Sequence, residues 1–231
     1  MTMNAITLNA TSESSGMNAL IFTPAADPEN LSGNLPLLVY LHGAGERGLC
    51  HEHLYRHGVP RLIKEGARFN AVILVPQCPE RAVWDNVTSD VKRLIDETIL
   101  RFGIKRDRVS ITGSSMGGYG TFSMGLAYPT LFSGIAPVAG GGMAWRAARL
   151  VTTPVIAFHG ENDTTVLPVC SSLMTDAVNT AGGKAELNIL PGLGHNDGID
   201  YAYRHTDLIE RLILLRRTDF SRVKEPCEEY F

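Results

Sequence analysis

Three polar residues stand in this sequence where nucleophilic acyl transfer would need them. Ser115 is the centre of GSSMG, Gly113–Gly117, which follows the apolar run RVSIT and opens a stretch of small and aromatic residues. A serine hydroxyl is a weak nucleophile at neutral pH and needs a base, which in turn needs a group to orient it. When G-x-S-x-G sits at a sharp strand-to-helix turn, the acid and then the histidine come later in the chain. Asp163 lies three residues past Gly160 in HGENDTTV, and His195 follows Gly194 in PGLGHND. The rival acid, Glu161, sits nearer the end of its apolar run. The spacing predicts Ser115 as nucleophile, His195 as base and Asp163 as orienting acid.

Such chemistry also needs donors for a developing oxyanion. One is expected from the backbone N–H of Met116, the residue after the nucleophile. The second is expected from HGAGERG, His42–Gly48, whose glycines let the backbone turn its N–H groups inward. Ala44 is the assigned donor, with Gly45 as runner-up and as a substrate-facing residue. Trp84 reads either as a wall of the substrate pocket or as a core aromatic.

These residues must be held by an alternating frame. Short apolar runs without polar alternation occur at PLLVYLHG (36–43), NAVILVPQ (70–77), RVSITG (108–113), GIAPVAG (134–140) and TPVIAFHG (153–160), with the shorter AELNILPG at 185–192. Runs of this kind suit strands buried on both faces of a parallel sheet. Helical patterns lie at 89–103, with Ser89 as N-cap and Gly103 past the end, at about 117–128, and at 201–217. The expected fold is α/β: a doubly wound, mostly parallel sheet flanked by helices, in one domain spanning 1–231. Only MAWRAARLVTT separates Gly142 from Pro154, so no large cap domain is expected there. AADPENLSGN (25–34) reads as a polar turn, and the terminal KEPCEEYF as loosely held.

Composition narrows the class. The chain has 231 residues, 44% hydrophobic and 19% charged, with a net charge of −3, which gives no reason to expect nucleic acid or an anionic membrane surface as partner. No apolar run reaches 18 residues, and the N-terminus lacks a basic segment followed by an apolar core. A cytoplasmic, reducing compartment is the default, although a mature chain whose signal had been removed would read the same. Cys50, Cys78, Cys170 and Cys227 form no C-x-x-C pair and are expected as inert thiols, a Cys50–Cys78 bridge remaining open for an exported protein. His51, His53 and His57 in HEHLYRH have ligand-like spacing but no carboxylate or cysteine set to complete a site, so no metal is expected. His42 and His159 are expected to hydrogen-bond loop backbone, and His205, on the last helix, to be a surface or packing residue.

The motifs LHGAGERG, RHGVPRLI, VPQCPE with Trp84 after it, DRVSITGSSMGGYGTFSMGLAYPTLFSGIAPVAGGG, PVIAFHGENDTTV and PGLGHND span roughly residues 36–198. In them the chain resembles the α/β-hydrolase superfamily, and within it small bacterial esterases of the predicted-peptidase, phospholipase/carboxylesterase and dienelactone-hydrolase-like group. The resemblance implies a serine hydrolase with Ser115, Asp163 and His195 as its triad and no cofactor. Serine at 115 separates the chain from dienelactone hydrolases, which use cysteine. The expected activity is hydrolysis of a small-molecule, short-chain carboxylic ester. Alternatives on the same fold are a feruloyl or acetyl-xylan type esterase, a thioesterase and a peptidase. The alternative from another class is a catalytically silent binding module.

Overall fold

The structure, a computed structural model, describes residues 3–8, 17–24, 34–48 and 50–221. The polar turn read at 25–34 lies almost wholly outside these residues, and Cys227 and the terminal KEPCEEYF lie entirely outside them.

Among the described residues, eight strands form one sheet in the order β1-β2-β4-β3-β5-β6-β7-β8. They are β1 (Asn4–Leu8), β2 (Ala19–Thr23), β3 (Leu37–Leu41), β4 (Val72–Pro76), β5 (Val109–Ser114), β6 (Gly134–Val138), β7 (Val155–Gly160) and β8 (Ala185–Leu190). From β4 to β8 across the sheet the pairing is parallel, while β1 and β2 pair antiparallel at one edge. Every residue of β3 to β7 is buried, as their unbroken apolar runs require. At the other edge β8 is partly exposed, and Glu186 and Asn188 alternate there with apolar residues.

Helices cover both faces. They are α1 (Gly58–Lys64), α2 (Thr88–Phe102), α3 (Met116–Ala127), α4 (Val169–Thr180), α5 (His195–Arg204) and α6 (Leu208–Leu214). One core joins Leu37, Val39, Val72, Ile111 and Ile135 to α2, α3 and α4 through Leu94, Phe122 and Met174. The other joins Leu38, Tyr40, Ile73, Ile156 and Phe158 to α1, α5 and α6 through Val59, Tyr203 and Leu212. Adjacent strand residues thus enter opposite cores, as the pleat dictates.

Three sequence expectations need correction. The helix read from 89 starts at Thr88 after Val87, so Ser89 sits in its first turn and not at the cap; Gly103 does end it, at φ 61°. The helix read as 201–217 is two helices, broken where Thr206 Oγ1 accepts the N–H of Leu208 and so competes with the helical ladder. Strands β1 and β2 were not among the runs read from sequence.

The segment between β6 and β7 holds one short 3-10 helix, Ala144–Leu150. Among the described residues, no helix is long and apolar enough to cross a membrane.

Candidate active site

The carboxyl ends of β3, β5, β7 and β8 deliver the four segments that matter. At the end of β5 the chain turns directly into α3 through Ser115, whose φ of 56° and ψ of −118° lie outside the regions a side chain ordinarily adopts. The turn is locked by Ser115 N–H donating to Val138 O at 2.9 Å, and by Gly118 and Tyr119 N–H donating to Ser115 O. Its tightness explains the glycines. A Cβ at Gly117 would lie 1.9 Å from Leu41 O, and one at Gly113 would lie 2.4 Å from Gly117 O.

Beyond β7, Asp163 is buried, and its Oδ1 accepts the N–H groups of Thr165 and Val166, both at 2.9 Å. Beyond β8, His195 is the first residue of α5. Its Nδ1 lies 2.6 Å from Asp163 Oδ2 and its Nε2 lies 2.9 Å from Ser115 Oγ. Burial acts to raise the Asp163 carboxyl, but the hydrogen bonds from His195 and the two backbone N–H groups outweigh it and hold the group below the usual carboxylate range. Glu161, the rival acid, faces elsewhere: its Oε2 accepts Gly192 N–H at 2.8 Å.

The loop after β3 approaches from the other side. Ala44–Glu46 form a 3-10 turn, with Ala44 and Gly45 exposed. The loop is anchored by His42, which is buried. Cys78 N–H donates to His42 Nε2 at 3.0 Å, so the ring proton is on Nδ1, which donates to Gly43 O at 2.6 Å. Burial lowers the His42 imidazole to about 4. His42 thus binds loop backbone. Glu46 is also buried, and burial raises its carboxyl above the ordinary value. Met116 opens α3, where its N–H has no intrahelical acceptor.

Trp84 resolves toward the core. It is 1% exposed, its Nε1 donates to His42 O at 2.9 Å, and its Cβ and Cγ fill the space that a larger residue at 120 would take. It supports the loop that carries Ala44 and also lines an apolar hollow.

Ser115 lines one hollow, and a second lies against its chain neighbour Met116. One, of about 260 Å³, is polar: Gly43 to Glu46, Arg56, His57, Asn196 and Ile199 line it with Ser115 and His195. The second, of about 340 Å³, is apolar and is lined by Val83, Trp84, Asp85, Met116 and Tyr119. A separate hollow of about 300 Å³ between Lys92, Tyr128 and Phe220 contains none of these residues.

The HEHLYRH histidines do not converge. His51 and His53 lie in a 3-10 turn, and His57 faces Asp200 at 4.0 Å. Among the described residues, no group of three or more His, Cys, Asp or Glu side chains is placed to hold a metal ion. Cys50, Cys78 and Cys170 are free thiols. Sequence reasoning missed the burial of Glu46 and the closeness of His159 to Asp163. The HG pair at 159–160 reads like any strand end and carries no signal of that closeness.

Comparison with known proteins gives a consistent picture. The family model described as phospholipase/carboxylesterase matches residues 66–201. The carboxylesterase SOBER1 of Arabidopsis thaliana is 25% identical over 190 residues, 69% of this chain and 82% of that protein. Poly(3-hydroxyalkanoate) depolymerase C of Paucimonas lemoignei is 27% identical over 124 residues, 49% of this chain and 30% of that one. A solved thermostable esterase superposes with a TM-score of 0.75 at 26% identity, over 93% of this chain and 63% of that structure. The chain therefore spans less than two thirds of the depolymerase and of the solved esterase.

Proposed function

The chain belongs to the phospholipase/carboxylesterase family of α/β-hydrolases and is a serine hydrolase, and on that premise we propose that it hydrolyses short-chain carboxylic esters through Ser115, His195 and Asp163. The observation that carries this reading is the continuous line of contacts from Ser115 Oγ through both nitrogens of His195 to Asp163 Oδ2. His195 Nε2 takes the serine proton as Oγ attacks the ester carbonyl. The tetrahedral oxyanion is met by the backbone N–H groups of Met116 and Ala44. His195 then gives its proton to the leaving alcohol, and the acyl group remains on Ser115. Water attacks this acyl-enzyme, again with His195 as base, and frees the acid. Asp163 keeps the imidazole in the tautomer that presents a bare Nε2 to the serine and stabilises the imidazolium between steps.

The two hollows divide the substrate. The apolar one, beside Met116 and Tyr119, suits a compact acyl group. The polar one, beside Arg56 and Asn196, suits an alcohol portion with hydrogen-bonding groups. The likeness to the depolymerase favours a second reading, in which the acyl and alcohol parts are short hydroxyacids joined as an ester.

A fluorophosphonate probe tests the first step. It is expected to label the wild-type protein at Ser115, with one adduct by mass spectrometry, and to leave Ser115→Ala unlabelled. A parallel panel of nitrophenyl acetate, feruloyl, thioester and hydroxybutyrate-dimer substrates ranks the acyl classes. Absence of labelling together with absence of turnover on the whole panel would return the fold to the binding-module alternative.

A further inference from the structure

Asp163 touches a second imidazole, to which the reading above gives no role. His159, near the end of β7, is fully buried, and its Nε2 lies 3.3 Å from Asp163 Oδ2, the oxygen that also meets His195. The same Nε2 is 2.8 Å from Val166 O. A carbonyl can only accept, so Nε2 carries a proton. On the other side of the ring, Nδ1 is 2.7 Å from Ser171 Oγ, and that oxygen is 2.8 Å from Gly140 O.

The hydroxyl has one proton to give. Directed to Gly140 O, it leaves Nδ1 as the donor to Ser171 Oγ, and His159 is then an imidazolium. Directed to Nδ1, it leaves Ser171 Oγ and Gly140 O facing each other with no proton between them. Buried polar groups in native proteins are satisfied, and a buried charge is tolerated beside its counter-charge. Both conditions favour the cation, with Asp163 as its partner.

We propose that His159 is a positioning residue that pins Asp163 and its loop to β6 and α4 and offsets part of the Asp163 charge, so that His195 sheds its proton and becomes a competent base at lower pH. The inference rests on the reading of Ser115, His195 and Asp163 as a triad. The sign follows from electrostatics. The Asp163 carboxylate stabilises protonated His195, and a second cation on the same oxygen opposes that. Removing His159 therefore favours protonated His195 and moves the acid limb of activity to higher pH. The titratable groups around this pair are Asp163 on the same loop, His195 on α5, Tyr119 on α3 and Cys170 on α4. Burial, the Cys170 hydrogen bond and the Asp163 charge push Tyr119 up to about 12, so it stays neutral through the acid limb.

The test is kcat and KM against pH on a soluble nitrophenyl ester for His159→Leu, His159→Gln and Ser171→Ala, with near-ultraviolet circular dichroism to verify folding. His159→Leu is expected to lower kcat about tenfold or more with KM nearly unchanged, and to raise the midpoint of the acid limb by about one pH unit. His159→Gln can still place an amide N–H where Nε2 stood, so it should recover part of kcat while keeping the raised midpoint. Ser171→Ala removes the acceptor of Nδ1 and leaves Asp163, His195 and Ser115 in place. It should raise the midpoint with little loss of kcat, and it decides the matter if the His159 variants do not fold. A midpoint that stays in place, or falls, in the folded variants overturns the proposal even where rate is lost, because lost rate alone is what a packing role would give. Ser115→Ala measured alongside separates the two levels. Turnover retained there removes the triad reading; an inactive Ser115→Ala with an unmoved acid limb in the other variants removes only the role of His159.

Discussion

Ser115 occupies a backbone conformation that side chains avoid, and the hydrogen bond from its N–H to Val138 O holds it there. The turn places Oγ 2.9 Å from His195 Nε2. Ser115→Ala keeps the same small Cβ and is expected to fold like the wild type while losing several orders of magnitude in kcat, because nucleophile and base act as a unit. Substantial residual turnover in purified Ser115→Ala would remove the assignment. The two acids separate in the same way. Asp163→Asn is expected to lower kcat by roughly 10⁴, since an amide no longer holds the imidazole in the needed tautomer. Glu161→Gln, whose partner is Gly192 N–H, should stay near wild-type rate. The reverse ranking would mean that Glu161 is the orienting acid. Ser115, Asp163 and His195 stood out because each follows a run read as a strand, in the order an elbow demands, and the structure brings their side chains together. His159 did not. Its HG pair looks like any strand end, and only the fold turns the ring toward Asp163, Ser171 and Val166.

At the scale of elements, the β5–α3 turn exists only because the crossing with β3 is stripped of side-chain volume. A Cβ at Gly117 would meet Leu41 O, a backbone atom that no rotamer change can move. Gly117→Ala should therefore destabilise by about 3 kcal/mol or more, where Gly45→Ala, with nothing within 4 Å of the added carbon, should change stability by less than about 0.5 kcal/mol. Urea unfolding of the two variants makes the comparison; equal midpoints would show that the close approach is not a constraint. The loop after β3 carries a pH dependence of its own. His42 is buried neutral, with Nε2 accepting from Cys78, and its imidazole is lowered to about 4 from the model-peptide value of 6.5. Below 6.5 the unfolded chain takes up a proton that the native chain refuses, so stability falls as pH drops from 6.5 to about 4, by an amount on the order of 3 kcal/mol. His42→Asn should unfold more readily at neutral pH and lose less on acidification. An unchanged slope in that variant would assign the acid sensitivity to other groups. Sequence reasoning placed the five buried parallel strands because continuous apolar runs have no other home. It missed β1, a five-residue edge strand, and β2, whose run Ala19–Phe22 is continuous and apolar but only four residues long before Thr23. It joined α5 to α6, because the Thr206 side chain interrupts the ladder without a proline or glycine to mark the break. It left Trp84 between pocket wall and core, and only the bond from its indole N–H to His42 O shows that it supports the loop from within.

At the scale of the whole molecule, the site stays open because of what lies between β6 and β7. There the chain leaves the sheet through Gly140–Gly142, makes the 3-10 helix Ala144–Leu150, and returns at Val155. That segment packs Ala147 and Leu150 into the core and does not cross Ser115. The hollows that remain beside the nucleophile are about 260 and 340 Å³, and both open to solvent on the carboxyl side of the sheet. A long acyl chain gains affinity only for the methylenes it takes out of water, about 0.8 kcal/mol for each. Once the apolar hollow beside Met116 and Tyr119 is full, further methylenes lie in solvent and add nothing to transition-state binding. In a series of nitrophenyl esters from acetate to palmitate, kcat/KM should therefore peak at a short chain and fall or level off beyond it. The rate should also show no jump as substrate passes its solubility limit, because among the described residues the hollow at Ser115 is open. A maximum at twelve carbons or more, or clear activation at an oil–water interface, would mean that another segment closes over the site. The first candidate would be the stretch from Glu46 to Arg68, which already supplies Arg56 and His57 to the wall of the polar hollow.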